Sequence, residues 1–192
     1  MTLYIWRHPT PLNVANLCLG RTDPGVDKRK LRRLAGQIQR FARRHQLPRE
    51  IRVSPLQRAR EVGRILERRG WRCRVDAGLT EADFGRWDGC PWPQIDRAEI
   101  DAWCADFATY APGGGESLTT LFARVEEWLA RLPADPVLAV GHAGWINVAR
   151  LLGEGQGVPQ QARDWPSPVA YRALSVISTL PAAPVPPRPA AC

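Results

Sequence analysis

The sequence predicts an α/β fold, a three-layer αβα sandwich with a mostly parallel central sheet. Short apolar segments alternate along the chain with longer segments whose apolar residues recur every three to four positions. This alternation is typical of strands connected by helices that cover both faces of one sheet. Residues 137–141, VLAVG, are almost continuously apolar, as expected for a central parallel strand that is buried on both faces.

The first half of the chain contains three predicted strands and two predicted helices. Residues 2–6 are a short apolar run and predict the first strand. Residues 26–46 carry apolar residues at helical spacing with basic residues between them, which indicates an amphipathic helix. Residues 51–54 predict the second strand, residues 55–70 the second helix, and residues 73–77 a third short strand.

The second half continues the same alternation. Residues 91–107 predict a helix that contains tryptophan, and residues 117–132 predict a helix with a regular apolar face. The strand at 137–141 leads into a predicted helix at 143–152, and residues 171–179 predict the last strand.

Length and composition favour one globular domain. The chain has 192 residues, of which 44% are hydrophobic and 24% charged, and we assign residues 1–180 to a single domain. Residues 181–192 contain five prolines and predict an extended or disordered tail. No apolar run reaches the roughly 20 residues of a transmembrane helix. The first nine residues are too short for a signal-peptide core, so we expect a soluble, cytoplasmic protein.

The charge balance favours an anionic partner. The chain has 27 basic and 19 acidic residues, a net charge of +8, which suits nucleic acid, acidic membranes or phosphorylated metabolites. We interpret the basic run at 28–33 as a solvated helix face, although a nucleic-acid-binding module remains an alternative. The five cysteines include no CxxC pair, so neither a disulfide framework nor a zinc ribbon is indicated.

Candidate functional side chains follow the carboxyl ends of three predicted strands. Arg7 and His8 follow the first strand, Arg58 lies one turn into the helix after the second strand, and His142 follows the strand at 137–141. Ligands bind at this edge of open α/β sheets. Arginine matches phosphate oxygens with two parallel donors. A neutral imidazole can attack phosphorus, and a second, protonated imidazole can stabilise the transferring phosphoryl group.

Phosphoryl transfer of this kind also needs a proton donor for the leaving oxygen. The segment at 79–89 offers Glu81, Asp83 and Asp88, and their spacing alone does not choose among them. The sequence contains neither a P-loop pattern nor an acidic metal cluster. We therefore expect metal-independent chemistry without a cofactor, in which arginine and histidine meet the phosphate charge.

Five motifs together resemble the histidine phosphatase superfamily, also called phosphoglycerate-mutase-like. They occur in family order and are RHP at 7–9, SPLQRA at 54–59, LTEADFGRWDG at 79–89, GGGES at 113–117 and AVGHAGW at 139–145. The resemblance implies the phosphoglycerate-mutase-like fold and a metal-independent phosphatase of the histidine acid type. It implies that His8 accepts the phosphate and that Glu81 donates the proton. Arg7, Arg58 and His142 would bind and polarise the phosphoryl group.

The resemblance also implies three substrate-binding positions and shows two departures. Asn13 is an inexact counterpart of an asparagine in the family's first loop, Gly20 lies in the next part of that loop, and the backbone of Ala143 would line the phosphate pocket. Pro9 stands where the family usually has glycine, which removes a backbone donor, and Asp88 replaces a more usual glutamate.

Within the superfamily the chain is most similar to alpha-ribazole phosphatases. CLGRTD at 18–23 and FGRWDG at 84–89 resemble segments of that group. The segment between Glu81 and Glu116 is also short, whereas phosphoglycerate mutases have a longer insertion there. By the same resemblance, Glu116 is a supporting glutamate rather than a catalytic residue. The similarity implies removal of the 5′-phosphate from alpha-ribazole phosphate or its cobalamin form, with a small phosphorylated metabolite as the partner rather than nucleic acid or a membrane. A broad-specificity phosphatase, a phosphoglycerate mutase and a phosphate-binding pseudoenzyme remain alternatives. Loops at 13–25, 90–113 and 153–168 are expected to select the leaving group.

Overall fold

A five-stranded sheet forms the centre of the protein in a computed structural model that describes residues 2–178. The predicted tail at 181–192 lies outside the described residues. The strand order is β3-β2-β4-β1-β5. The strands are β1 (Thr2–Arg7), β2 (Glu50–Val53), β3 (Arg72–Val75), β4 (Val137–Gly141) and β5 (Leu174–Ser178). β5 pairs antiparallel with β1, whereas the other pairs are parallel, so the predicted mostly parallel sheet is confirmed.

Helices cover both faces of this sheet. They are α1 (Lys28–Arg44), α2 (Gln57–Glu67), α3 (Arg97–Ala105), α4 (Leu118–Ala130) and α5 (Ala143–Gly153). α1 packs against α2 on one face, and α4 packs against α5 on the other. Within residues 2–178, no helix is both long enough and apolar enough to cross a bilayer.

Side-chain alternation along the central strands divides the core into two layers. In β1, Leu3 and Ile5 pack with α4 and α5, whereas Trp6 packs with α1 and α2. In β4, Ala139 faces the first layer and Val140 the second. Because successive strand residues point to opposite faces, a continuous apolar run fills both layers at once.

Three helices are capped by the residue just before them, whereas α2 and α5 are capped by carboxylates from distant segments. Asp27, Asp96 and Ser117 cap α1, α3 and α4 from the adjoining residue. The first turns of α2 and α5 instead meet carboxylates from elsewhere in the chain. Asp23 accepts from the first N–H of α2, and Glu81 accepts from two N–H groups at the start of α5.

Several predicted segments differ from the structure in their bounds, among them the helix predicted at 91–107 and the last strand. The helix predicted at 91–107 is a 3₁₀ turn, Trp92–Gln94, followed by the shorter α3. The turn ends at Ile95, whose backbone is extended, and Asp96 then caps a new helix. The last strand, predicted at 171–179, begins only at Leu174.

Candidate active site

Three adjacent strands deliver the candidate residues to one edge of the sheet. β4 lies between β1 and β2, so His8, His142 and Ser54 follow neighbouring strands. The backbone N–H of His8 donates to Gly141 at 3.0 Å, and that of Ser54 donates to Val140 at 3.1 Å. The ring centroids of His8 and His142 are 4.9 Å apart. The predicted meeting of these segments is therefore observed.

His8 is buried, and its surroundings fix one tautomer. Its Nδ1 lies 2.8 Å from the carbonyl oxygen of Pro9, so Nδ1 carries the hydrogen and donates. Nε2 keeps its lone pair and accepts from Nε of Arg58 at 3.3 Å. Burial, then Arg58, and also Arg7 lower the pKa of His8 well below its ordinary value. His8 is therefore a neutral imidazole at pH 7, and Pro9 retains the acceptor that orients it.

Arg58 is only 1% exposed and is held by a loop. Its Nη1 donates to the carbonyl oxygen of Thr22 at 2.7 Å, and its Nη2 donates to that of Gly20. The carboxylate of Asp23 lies 3.5 Å from Nη1. These contacts leave Nε of Arg58 directed at His8.

Arg7 and His142 complete the cationic side of the cluster. The Arg7 guanidinium lies 3.7 Å from the ring centroid of Tyr171, and its Nη1 donates to Val169 at 2.6 Å. Nε2 of His142 lies 2.8 Å from Oγ of Ser54. Within residues 2–178, Nε of Arg7 and Nδ1 of His142 are buried without a hydrogen-bond partner. A bound phosphoryl group would bring acceptors of the kind that both nitrogens lack.

The surroundings of His142 set its charge state in the free protein. His142 is fully buried, and burial, followed by His8 and Arg58, lowers its pKa well below the ordinary value. In the free protein His142 is therefore neutral. Neighbouring cations disfavour a further positive charge until an anion enters.

Glu81 is the carboxylate that faces this cluster. It is buried and lines the cavity beside His8. Its Oε2 accepts from the N–H of Gly144 at 3.0 Å, and its Oε1 accepts from that of Trp145 at 3.1 Å. Any side chain at Gly144 would place Cβ 2.8 Å from Oε1. Asp83 and Asp88 do not line the cavity, so the structure distinguishes among the three carboxylates that the sequence left open.

Glu116 and Arg124 hold the segment that carries Glu81. Nε and Nη2 of Arg124 donate to the two carboxylate oxygens of Glu116 at 2.8 and 2.9 Å. Nη1 of Arg124 donates to the carbonyl oxygens of Gly78 and Thr80, just before Glu81. This bidentate pair therefore supports the position of Glu81.

A cavity of about 480 Å³ extends from His8 to an aromatic wall. Its polar end contains Arg7, His8, Arg58 and Glu81. The aromatic wall consists of Phe84, Trp92, Trp103, Phe107 and Trp165, whereas Tyr171 lies at the polar end, with its ring centroid 5.6 Å from that of His8. Trp92 and Trp103 are almost parallel, with an interplanar angle of 3° and ring centroids 6.4 Å apart. The cavity can thus hold a phosphate ester with a large apolar leaving group.

Comparison with known proteins decides the family. The family model described as histidine phosphatase superfamily (branch 1) matches residues 3–181. The chain belongs to the histidine phosphatase superfamily. The resemblance carried by the five motifs is confirmed.

Similar histidine phosphatases act on different substrates. The chain is 30% identical over 168 residues to the adenosylcobalamin/alpha-ribazole phosphatase of Salmonella typhimurium. The aligned region covers 79% of this chain and 80% of that relative. The chain is 32% identical over 161 residues to the glucosyl-3-phosphoglycerate phosphatase of Mycobacterium tuberculosis, which covers 75% and 71%. A solved mycobacterial glucosyl-3-phosphoglycerate phosphatase superposes with a TM-score of 0.73 at 28% identity, covering 92% of this chain and 89% of that one. This chain is a phosphatase of the superfamily, and the relatives do not select its substrate.

The three predicted substrate-binding positions of this histidine phosphatase lie in different environments. Ala143 lines the cavity at the start of α5. Asn13 is exposed, has a φ of 55° and does not line the cavity. Gly20 is buried outside the lining, where its N–H donates to Asp88 and its carbonyl accepts from Arg58. Contact of these residues with substrate stays a prediction.

Sequence reasoning missed most of the apolar end of the cavity. Trp92 lines this end, whereas Trp87 lies outside the lining and donates to Glu99. Trp103 belongs to no motif. The three loop ranges expected to select the leaving group do supply Leu17, Trp103 and Trp165 to the lining.

Proposed function

We propose that this histidine phosphatase is a metal-independent phosphomonoesterase that works through a phosphohistidine on His8. The observation that carries the proposal is the fixed tautomer of His8. Its Nδ1 is committed to the Pro9 carbonyl, and its neutral Nε2 adjoins the Arg58 guanidinium. An unprotonated nitrogen beside a phosphate-binding cation is what attack on phosphorus requires.

The reaction takes place in two steps. The Nε2 lone pair attacks phosphorus, the bond from phosphorus to the ester oxygen breaks, and that oxygen leaves with a proton from Glu81. A water molecule then attacks phosphohistidine, gives a proton to Glu81 and breaks the phosphorus–nitrogen bond. Arg7, Arg58 and His142 stabilise the charge on the transferring group in both steps. Oε2 of Glu81 accepts one hydrogen bond, which leaves it a lone pair for the proton.

The proposed metal independence rests on two arginines that can meet the phosphate charge. Arg7 and Arg58 bring two fixed cations to the end of the cavity where His8 lies. Among the described residues, no three His, Cys, Asp or Glu side chains gather as a possible metal site. We expect turnover to persist in excess EDTA, and loss of turnover that Mg²⁺ or Zn²⁺ restores would refute this part.

The aromatic wall favours alpha-ribazole phosphate, or the corresponding cobalamin phosphate, as the substrate. Alpha-ribazole carries a flat aromatic base, which can pack against Trp92 and Trp103. A leaving group with a carboxylate, such as glucosylglycerate, would need a further cation. The arginines in the lining are Arg7 and Arg58, both at the phosphate end, and the lining also contains the carboxylate of Glu116. The chemistry of the lining therefore supports the aromatic substrate.

The test compares release of inorganic phosphate from alpha-ribazole 5′-phosphate and from glucosyl-3-phosphoglycerate in the presence of EDTA. The parent protein is measured beside His8→Ala and the matched control His45→Ala, which alters an exposed histidine. We expect faster release from alpha-ribazole 5′-phosphate, abolished only in His8→Ala. Faster release from glucosyl-3-phosphoglycerate would refute the substrate, and undiminished turnover in His8→Ala would refute the mechanism.

A further inference from the structure

The carboxylate of Asp88 lies under the loop that holds Arg58. It accepts hydrogen bonds from three successive backbone N–H groups, those of Gly20, Arg21 and Thr22, at 3.0 Å for Gly20 and 2.9 Å for Thr22. The side chain of Arg21 pairs instead with Asp83 at 2.9 Å. Within residues 2–178, the charge of Asp88 thus meets backbone donors and no cationic side chain closer than 4.0 Å.

The same three residues present their other side to Arg58. The carbonyl oxygens of Gly20 and Thr22 accept from its two terminal nitrogens. The peptide group between Gly20 and Arg21 connects the two side chains directly, because its carbonyl accepts from Arg58 and its N–H donates to Asp88. Arg58 is almost fully buried, so it has no solvent to replace these acceptors. The position of its Nε, 3.3 Å from His8 Nε2, depends on the loop.

We propose that Asp88 is a positioning residue, which fixes the loop at 20–22 so that the loop carbonyls hold Arg58 against His8 and the bound phosphate. Its effect on turnover rests on the function proposed above, whereas its effect on anion binding does not. Asp88 itself does not line the cavity, so its role is exerted through Arg58.

Asp88→Asn should affect mainly residues 20–22, because the neighbouring residues are held by hydrogen bonds that do not involve the Asp88 side chain. An amide has one acceptor oxygen and cannot replace both carboxylate oxygens. The neighbouring residues stay paired through Cys18 N–H to the Cys90 carbonyl at 2.8 Å and Gly89 N–H to the Cys18 carbonyl at 2.7 Å. Asp88→Asn should therefore loosen residues 20–22 without detaching the whole loop.

Displacement of Arg58 should change the pH dependence of kcat/KM. The groups that face His8 are Arg58, Arg7, His142, Tyr171 and Glu81. After burial, Arg58 is the largest cause that lowers the pKa of His8. Moving this cation away should raise the pKa of His8, so the acid limb of kcat/KM should move to higher pH.

The experiment is a double-mutant cycle with Asp88→Asn, Arg58→Ala and the combined variant. Binding of inorganic phosphate is measured by calorimetry, and kcat/KM for 4-nitrophenyl phosphate is measured across pH. Asp88→Asn should weaken phosphate binding about tenfold in the parent but less than about twofold in Arg58→Ala, because the two residues act through one interaction. Its acid limb should move to higher pH. Asp88→Glu, which keeps the charge, should recover most of the loss.

The control is Asp101→Asn, an exposed carboxylate on α3, which should match the parent. Equal losses with and without Arg58, or no loss of phosphate binding in Asp88→Asn, would overturn the proposal. If Asp88→Asn does not fold, the same cycle with Asp88→Ser, which keeps only one hydroxyl acceptor, decides, and it should show the same non-additive loss. Absence of His8-dependent turnover would refute the proposed function alone, because phosphate binding still reports on Arg58.

Discussion

Replacing Glu81 by glutamine separates proton donation from the structural contacts of the same side chain. Oε1 accepts from the N–H groups of Ala82 and Trp145, and Oε2 accepts from that of Gly144. Glutamine has one acceptor oxygen, so at least one N–H at the start of α5 loses its acceptor. The expected cost is about 1–3 kcal/mol of unfolding free energy, or roughly 2–4 °C in melting temperature for each kcal/mol.

The effect on rate should depend on the leaving group. Loss of a general acid lowers a rate by about 10²- to 10⁴-fold, equal to about 3–5 kcal/mol. An alkyl phosphate needs the proton, whereas 4-nitrophenolate leaves without one. We expect Glu81→Gln to show the full loss with glycerol phosphate and less than about a tenfold loss with 4-nitrophenyl phosphate.

Single-turnover rapid quench should be used because it isolates the first chemical step from hydrolysis of the phosphoenzyme. Asp83→Asn, which changes a neighbouring carboxylate outside the cavity lining, is the control and should stay within about threefold of the parent. An equal loss with both esters in Glu81→Gln would refute the assignment of Glu81 as the proton donor.

Three further predictions follow from the cluster and the aromatic wall. Burial holds the pKa values of His8 and His142 low in the folded protein, so below about pH 6.5 the unfolded chain binds more protons than the folded chain. Each of the two histidines should therefore lower the free energy of unfolding by up to about 1.4 kcal/mol for each further pH unit. Denaturant unfolding from about pH 7.5 down to about pH 5.5 measures this slope, and constant stability would contradict it. Gly144→Ala places Cβ 2.8 Å from Oε1 of Glu81 and should lower kcat with glycerol phosphate by about tenfold or more, while circular dichroism shows an intact fold; an unchanged kcat would argue against the close approach. Trp103→Ala should raise KM for an aryl phosphate by roughly three- to tenfold relative to glycerol phosphate, since aromatic contacts contribute about 0.5–1.5 kcal/mol; equal changes in both KM values would count against the aromatic wall.

The sequence predicts the phosphate end of the site better than its leaving-group end. Arg7, His8 and His142 lie at or directly after strand ends, and Arg58 is the second residue of α2, so a parallel sheet brings them together. This placement depends only on strand order and local structure. The apolar end depends on how Trp103 of α3 and residues of the surrounding loops pack, which no local pattern determines.

The structure also distinguishes among three carboxylates that their spacing in the sequence could not separate. Glu81, Asp83 and Asp88 lie within eight residues of each other in the sequence, but Glu81 alone of the three faces the cavity. The neutral state of His142 could not be predicted either, because burial and three-dimensional proximity to His8 and Arg58 determine it. Residue type specifies the chemistry that a group can perform, whereas its surroundings decide its charge.

Trapping the phosphoenzyme tests the central claim most directly. A radiolabelled phosphate ester is mixed with the protein, quenched in alkali, in which phosphohistidine is stable, and digested for peptide mapping beside His8→Ala. The account predicts an acid-labile label on the peptide that contains His8, formed at a rate that matches turnover and absent from the variant. Label on a different residue, or turnover without any labelled protein under single-turnover conditions, would contradict it.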